Sequence, residues 1–554
     1  MRGVVALAAV VAALILGAGS GAARATQASV GVYPAGTSFK ATGAAPPHPA
    51  VAVSLAMPIG AVDDAVILAR GAQHVSVFAS SIDPALEMHL LFAHYVSVNG
   101  KLVPDALEPW NGSQRPTEET NQPIWIQISV PQGTAPGTYA GSVSLVADGT
   151  PTVIPISVDV ANVTIPPPGQ VSGSLLTAFN ASPQSYGNEV HRLYGISASD
   201  ALPGFFSFLA SYRISPNNWG YGNPDSKSGY TTSRNVFKDK RARMTEAVGD
   251  PRQFAAMWIP LSNQRGPETA GISPYAPGTW CSYLRAVRGF WENHGWLPGA
   301  YPYLYGMDEP GEKLYGIVRQ QALAVHRCWP GSHLVVTTRP QAANSYLWNG
   351  GSDDVDAFVI LESRYYGAYR QPTEFLRYIN AARRRGKQIW TYTYQSGAHT
   401  TPGLAAVEPA SDPRMFTAWA ALEGITGLLR GNSMTNYDPT ANPFNTNNKA
   451  DGDFVLIYPG RTGPIASARL EELREGIEDW EILNIVRQKD GSREVVRLLS
   501  RLFTTTATGA KLACVVGCPL HSSTKYAWPL FSKDATTATK IAQMRAKALA
   551  AASR

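Results

Sequence analysis

The chain reads as a multidomain protein in which an N-terminal antiparallel β-sandwich precedes a (β/α)8 TIM-like barrel and a helical C-terminal segment. Three observations carry this reading. Its 554 residues exceed what one hydrophobic core organises. Roughly the first third alternates apolar and polar residues between Pro/Gly turns. Past a proline-rich stretch the pattern becomes strand, loop and helix, repeated.

In order along the chain, residues 1–25 read as a signal peptide: Arg2, an apolar run, then small residues ending in Ala23, Arg24 and Ala25. The mature chain is expected to be secreted or extracytoplasmic, with no membrane contact after cleavage, because no later stretch is long and apolar enough to span a bilayer. Residues 26–165 form the expected sandwich, with "IWIQISV", "YAGSVSLV" and "VIPISVDV" as alternating strands. "TIPPPGQ", residues 164–170, reads as a stiff linker.

The expected barrel covers 171–490. Its eight strands are "SLLTAF", "ISPNNW", "AAMWIPL", "YPYLYGM", "HLVVTT", "DAFVILE", "QIWTYTY" and "GLLRGN". Helix-period stretches such as "KLYGIVRQQALAVHRCW" and "TEFLRYINAARRRG" lie between several of them. A doubly wound open sheet is disfavoured, since no glycine-rich phosphate loop follows any strand. Near the end of this region Leu470, Leu473, Ile477, Trp480 and Leu483 recur at helical spacing, so one face of a long helix should be buried and its many charges solvated. Residues 491–554 read as a helical extension.

The net charge of +6 comes from scattered basic residues. The strongest cluster, Arg383 to Arg385, precedes Gly386 at an expected helix C-terminus, where cations favour the dipole. No nucleic-acid partner is expected. Cys281, Cys328, Cys514 and Cys518 make an even set in an exported chain, and the expected disulfides are Cys281 with Cys328 and Cys514 with Cys518. His191, His326, His333 and His399 show no metal-ligand spacing, so neither a metal nor another cofactor is expected.

In a barrel the chemistry sits where strands end and βα loops begin. "YPYLYGMDEP" ends the fourth expected strand in two adjacent acids, Asp308 and Glu309. Pro310 fits the first position of a helix, which would make one of the acids a cap. The tyrosine rings before them favour a sugar cleft instead. Sequence neighbours cannot straddle a sugar ring as the separated carboxylates of ordinary glycosidases do. They can approach one face together, one protonating the leaving oxygen while the other holds a substrate group that acts as nucleophile. A 2-acetamido sugar carries that nucleophile in its own carbonyl.

"YGMDEP", "DGDFVLIYPG" and "IASARLEELREGIEDWEIL" resemble the catalytic domain of glycoside hydrolase family 123. The resemblance implies a sandwich, a barrel and a helical segment, and a retaining β-N-acetylgalactosaminidase that works through an oxazoline. Asp308 would then polarise the acetamido group and Glu309 would be the general acid/base. The chain departs from the family at its eighth strand, where Arg430, Gly431 and Asn432 replace a tryptophan-containing stretch.

Tyr305, Trp219, Asn218, Arg339, Glu362, Trp390, Tyr392 and Tyr394 are the candidate substrate-binding residues, the rings walling a cleft and the polar groups bonding hydroxyls. Packing explains the aromatic residues equally well. The expected partner is a glycan or glycoconjugate substrate. Two alternatives stay open: a two-carboxylate glycosidase using Glu309 and Glu362, and a non-catalytic carbohydrate-binding surface protein.

Overall fold

The structure, a computed structural model, describes residues 28–217, 248–259, 277–311, 314–338, 355–361, 372–393, 402–445, 450–505, 529–531 and 535–554. Ten strands come first: β1 (Ser29–Pro34), β2 (Val53–Ile59), β3 (Val62–Arg70), β4 (His74–Ile82), β5 (Glu87–Val98), β6 (Lys101–Trp110), β7 (Arg115–Pro116), β8 (Asn121–Ser129), β9 (Gly137–Ala147) and β10 (Thr150–Thr164). They form two sheets, one containing β1-β3-β8-β5-β6 and the other β2-β10-β9-β4-β7. Every pairing among them is antiparallel except β10 with β2, which run parallel. The two sheets share one core, where Ile67, Phe92 and Ile126 of the first meet the apolar core that also holds Met57, Val143 and Ile154 of the second.

Alternation is clean along β10, but β3 and β8 are buried on both faces. Val66, Leu91, Leu107 and Trp125 on the outer face of the first sheet pack with Ala468, far along the chain. A strand covered on both sides reads as a continuous apolar run.

The barrel strands are β11 (Leu176–Phe179), β12 (Ala256–Trp258), β13 (Tyr301–Tyr305), β14 (His333–Val336), β15 (Ala357–Leu361), β16 (Gln388–Tyr392) and β17 (Gly427–Arg430). They make a parallel sheet in the order β11-β17-β16-β15-β14-β13-β12. It is nearly closed. Among the described residues the expected second strand appears as a bridge, Phe179 to Pro216. Backbone bonds join Phe179 to Ser215 and Asn217 on one side, while on the other the Ser215 hydroxyl takes the Ala256 N–H at 3.2 Å. Pro216 has no N–H to offer a ladder, so among the described residues seven strands and this bridging segment stand in place of eight strands.

Strand register assigns the faces. The Trp390 ring lies 5.9 Å from Tyr301 and 6.1 Å from Tyr303, although β16 and β13 are not neighbours in the sheet. These side chains therefore meet across the barrel interior. Gly427 sits beside Trp390 in register, and a Cβ there would enter the indole ring. Gly427→Ala is expected to cost about 1–3 kcal/mol by overpacking, read as a lower thermal midpoint.

Of the helices, α1 (Pro183–Tyr194), α2 (Ala198–Ser211), α3 (Pro277–Asn293), α4 (Tyr315–Cys328), α5 (Pro372–Arg384) and α6 (Asp412–Glu423) follow barrel strands. The Cys281–Cys328 disulfide ties α3 to α4, with Cα atoms 4.8 Å apart. Arg383 near the end of α5 donates to the carbonyls of Glu423 and Gly424.

Two short strands, β18 (Ile457–Tyr458) and β19 (Ile465–Ser467), then leave the barrel region and join the first sandwich sheet, with β19 antiparallel to β6. Ser467 caps α7 (Ala468–Asp490), its hydroxyl accepting the Leu470 N–H at 3.1 Å. After α8 (Ser492–Leu499), α9 (Thr537–Ser553) packs on α7 and on β2 and β10.

The charged residues of α7 are not solvated as the periodicity predicts. Glu471, Glu472, Arg474, Glu475, Glu478, Asp479 and Glu481 are all buried. The helix lies between α6, α9 and the first sandwich sheet, so its charges meet partners from distant segments. Arg414 of α6 bonds Glu475 and Asp479; Arg545 of α9 reaches Asp63, Glu478 and Asp479. Arg474 pairs with Asp64 at 3.0 Å and Glu471 at 2.6 Å, and Arg213 faces Glu478 and Glu481. The Tyr212 hydroxyl donates to Glu471.

Carboxyl groups outnumber guanidinium groups along this seam, and neither oxygen of Glu472 has a hydrogen-bond partner among the described residues. Burial pushes Glu472 and Glu481 up to about 8, and raises Asp64 and Glu475 well above the usual carboxylate range. Asp64, Glu475 and Glu481 are raised although each faces an arginine, so the four guanidinium groups do not outweigh the burial of all the carboxyls around them.

Candidate active site

Tyr305 ends β13 on the inward face, and Gly306 follows where Leu334, Val336 and Gln321 would crowd a Cβ at 3.0–3.2 Å. The chain then turns through Met307 to Asp308 and Glu309, both exposed, while Met307 and Pro310 are buried. Both acids thus stand at the C-terminal end of a barrel strand.

Each is held by different groups. Asp308 Oδ1 accepts hydrogen bonds from the Tyr305 hydroxyl at 2.6 Å and the Thr337 hydroxyl at 3.0 Å. Its Oδ2 has no partner among the described residues. Burial, reinforced by the Asp308 carboxylate, raises the Tyr305 phenol well above its ordinary value, so Tyr305 remains a donor near neutral pH. The Glu309 backbone N–H donates to Thr337 Oγ1 at 2.6 Å. Glu309 has a φ of 42°, in the left-handed region. The Tyr392 hydroxyl, at the end of β16, donates to Glu309 Oε1. One acid is therefore anchored to β13 and β14 and the other reaches toward β16.

The structure thus brings together Asp308, Glu309, Tyr305 and Tyr392. Trp390, expected to wall the cleft, lies one layer deeper, fully buried against Tyr301 and Tyr303. Its inward position and the small residue opposite it put it in the core, out of reach of a substrate. Asn218, Trp219, Arg339, Glu362 and Tyr394 lie outside the described residues, as do His399, Cys514 and Cys518.

At the eighth-strand departure, Arg430 faces away from the barrel interior and is fully buried. It donates to the Asp453 carbonyl and, at 3.1 Å, to the Asp453 carboxylate, which also accepts from Asn432 at 2.6 Å. Gly431 follows at inward parity, so the end of β17 offers no ring to the mouth. Asp451, with φ 56°, and Gly452 form the turn that presents Asp453.

Thr337 is the site residue that sequence reasoning missed. Its signal was a hydroxyl two residues beyond Val335, on the inward face of β14. A polar cavity of about 540 Å³ at the N-terminal end of α1, lined by Ser182, Gln184, Asn188, Glu189, Arg192 and Tyr437 among others, contains neither acid. No group of acids, histidines and cysteines among the described residues could hold a metal ion.

The glycoside hydrolase 123 catalytic domain matches residues 268–486, and the glycoside hydrolase 123 N-terminal domain matches 93–147. Among solved structures, a family 123 glycoside hydrolase from Clostridium perfringens, studied for glycolipid glycan hydrolysis, is similar over 96% of this chain and 99% of its own. Its TM-score is 0.64 at 15% identity, a likeness of fold. An Ig-like domain containing GH10 xylanase from termite gut (11% identity, 77% of this chain and 99% of that one, TM-score 0.30) is too distant to carry an argument. So is a glucosidase from Croceicoccus marinus (10% identity, 57% and 69%, TM-score 0.33). No curated protein matches the chain.

Proposed function

We propose that this chain, which belongs to glycoside hydrolase family 123 and is a glycosidase, removes a β-linked 2-acetamido sugar such as N-acetylgalactosamine with retention of configuration. The observation that carries this is the separate anchoring of two adjacent acids at one barrel mouth.

Asp308, fixed through Oδ1, turns its other oxygen outward to take the acetamido N–H and press the carbonyl oxygen toward C1. Glu309 gives its proton to the glycosidic oxygen as the C1–O bond breaks and the acetamido oxygen bonds to C1. The leaving alcohol departs and an oxazolinium ring remains, its N–H held by the Asp308 carboxylate. Water then adds at C1 as the bond from C1 to the acetamido oxygen breaks, one water proton passes to Glu309, and the sugar leaves with its acetamido group restored and its original configuration. Tyr392 steadies Glu309 throughout.

The glycolipid glycan of the Clostridium perfringens relative supports a glycoconjugate substrate here. We place the mature enzyme outside the cytoplasm, with residues 1–25 as its export signal.

The test compares 4-nitrophenyl β-galactosides carrying a 2-acetamido or a 2-hydroxyl group. Substrate assistance predicts a preference for the acetamido sugar of about 10²-fold or more, and Asp308→Asn should damage that substrate in particular. Equal rates on the two sugars would reject it.

A further inference from the structure

We propose that Thr337 is a positioning residue that sets the two acids relative to each other through a single hydroxyl group. This rests on the reading in which Asp308 and Glu309 carry the chemistry.

A hydroxyl has one hydrogen to donate and two lone pairs. At Thr337 the hydrogen goes to Asp308 Oδ1 at 3.0 Å, and a lone pair takes the Glu309 N–H at 2.6 Å. Tyr305 spends its own hydrogen on the same Asp308 oxygen at 2.6 Å, so its 3.3 Å approach to Thr337 has no proton to share. One oxygen atom thus grips the side chain of the first acid and the main chain of the second.

The grip matters because Glu309 is in a disfavoured conformation. A φ of 42° is uncommon for a residue with a side chain. Pro310 disfavours the right-handed helical region at Glu309 and favours an extended backbone, and the bond to Thr337 holds the left-handed conformation instead, which aims the side chain toward Tyr392. Thr337 is suited to this work: it is buried, β-branched and therefore stiff about its first torsion, and follows β14 at inward parity, two residues past Val335, the register partner of Tyr305. Without the hydroxyl, Asp308 keeps among the described residues only the Tyr305 bond, and the Glu309 N–H loses its acceptor.

Thr337→Val, Thr337→Ala and Thr337→Ser are assayed on the 2-acetamido aryl glycoside beside Asp308→Asn and Glu309→Gln, with thermal midpoints recorded for all. The expected result is a fall in kcat of about 10- to 100-fold in the Val and Ala variants, with KM little changed, and recovery of most of the loss in Thr337→Ser. Combining Thr337→Val with Tyr305→Phe should cost other than the product of the single losses, because both act on Asp308 Oδ1. A folded Val or Ala variant with native kcat, a loss confined to KM, or a serine variant no better than valine overturns the proposal. Native turnover in both acid variants would instead bring down the reading of the site itself. Loss in those two with none at Thr337 would bring down this inference alone.

Discussion

Glu309→Gln lowers kcat on a 2-acetamido glycoside with a poor leaving group by about 10²- to 10⁴-fold, the usual contribution of a positioned general acid. The amide cannot give a proton to the departing oxygen. It can still accept from Tyr392 as Glu309 Oε1 does, so the local geometry and the thermal midpoint should hold. A dinitrophenyl leaving group needs little protonation, and the first step should then be largely spared. Azide, which attacks the oxazoline without a base, should restore turnover and yield the β-glycosyl azide. A loss below about tenfold, or an α-azide, would remove Glu309 from the role given to it.

Arg414→Leu is expected to destabilise the fold by about 3–5 kcal/mol, because it removes one side of a buried ionic contact and leaves the acids behind. Arg414 faces Glu475, Asp479 and Asp63 at once, and so links α6 to α7 and to the sandwich.

The same seam fixes a pH dependence in the native enzyme. Glu472 and Glu481 are raised to about 8 in the folded chain, mainly by burial, from the 4.5 of an exposed carboxyl. Between those limits the folded state holds protons that the unfolded state has released, so the stability they contribute is complete below about 4.5 and lost as pH rises toward 8. Each group contributes a slope of about 1.4 kcal/mol per pH unit at most. His94 acts in the same sense: burial opposes its charge, but Glu108 and Glu118 outweigh that and raise it. Urea midpoints should therefore fall from pH 5 to pH 8. Arg414→Leu should carry that fall to higher pH, since its guanidinium lowers Glu472 and Glu475 toward ionisation. A midpoint that is flat or climbs across this window contradicts the assignment of protons.

Much of the architecture was legible because it is local. Alternation marked β9 and β10, and β-rich runs between helix-period stretches marked all seven barrel strands and the bridging segment at Pro216. The acid pair was legible from its place at a strand end. What escaped depends on partners far away in sequence. The charged face of α7 has the same spacing whether water or arginines cover it, and its cations come from Arg213, Arg414 and Arg545 as well as its own Arg474. Trp390 looks like a cleft residue until register turns it inward beside Gly427. Thr337 carries no sequence signal beyond a hydroxyl after an apolar strand.

The late strands β18 and β19 have a consequence for biosynthesis. A ribosome releases β6 long before the segment that covers its outer edge, so a nascent sandwich waits with open backbone groups and a bare apolar flank at Val66, Leu91 and Trp125. The N-terminal sheets are consequently no portable module. Excised for grafting onto another catalyst, they would carry an adhesive border that only their own barrel can seal.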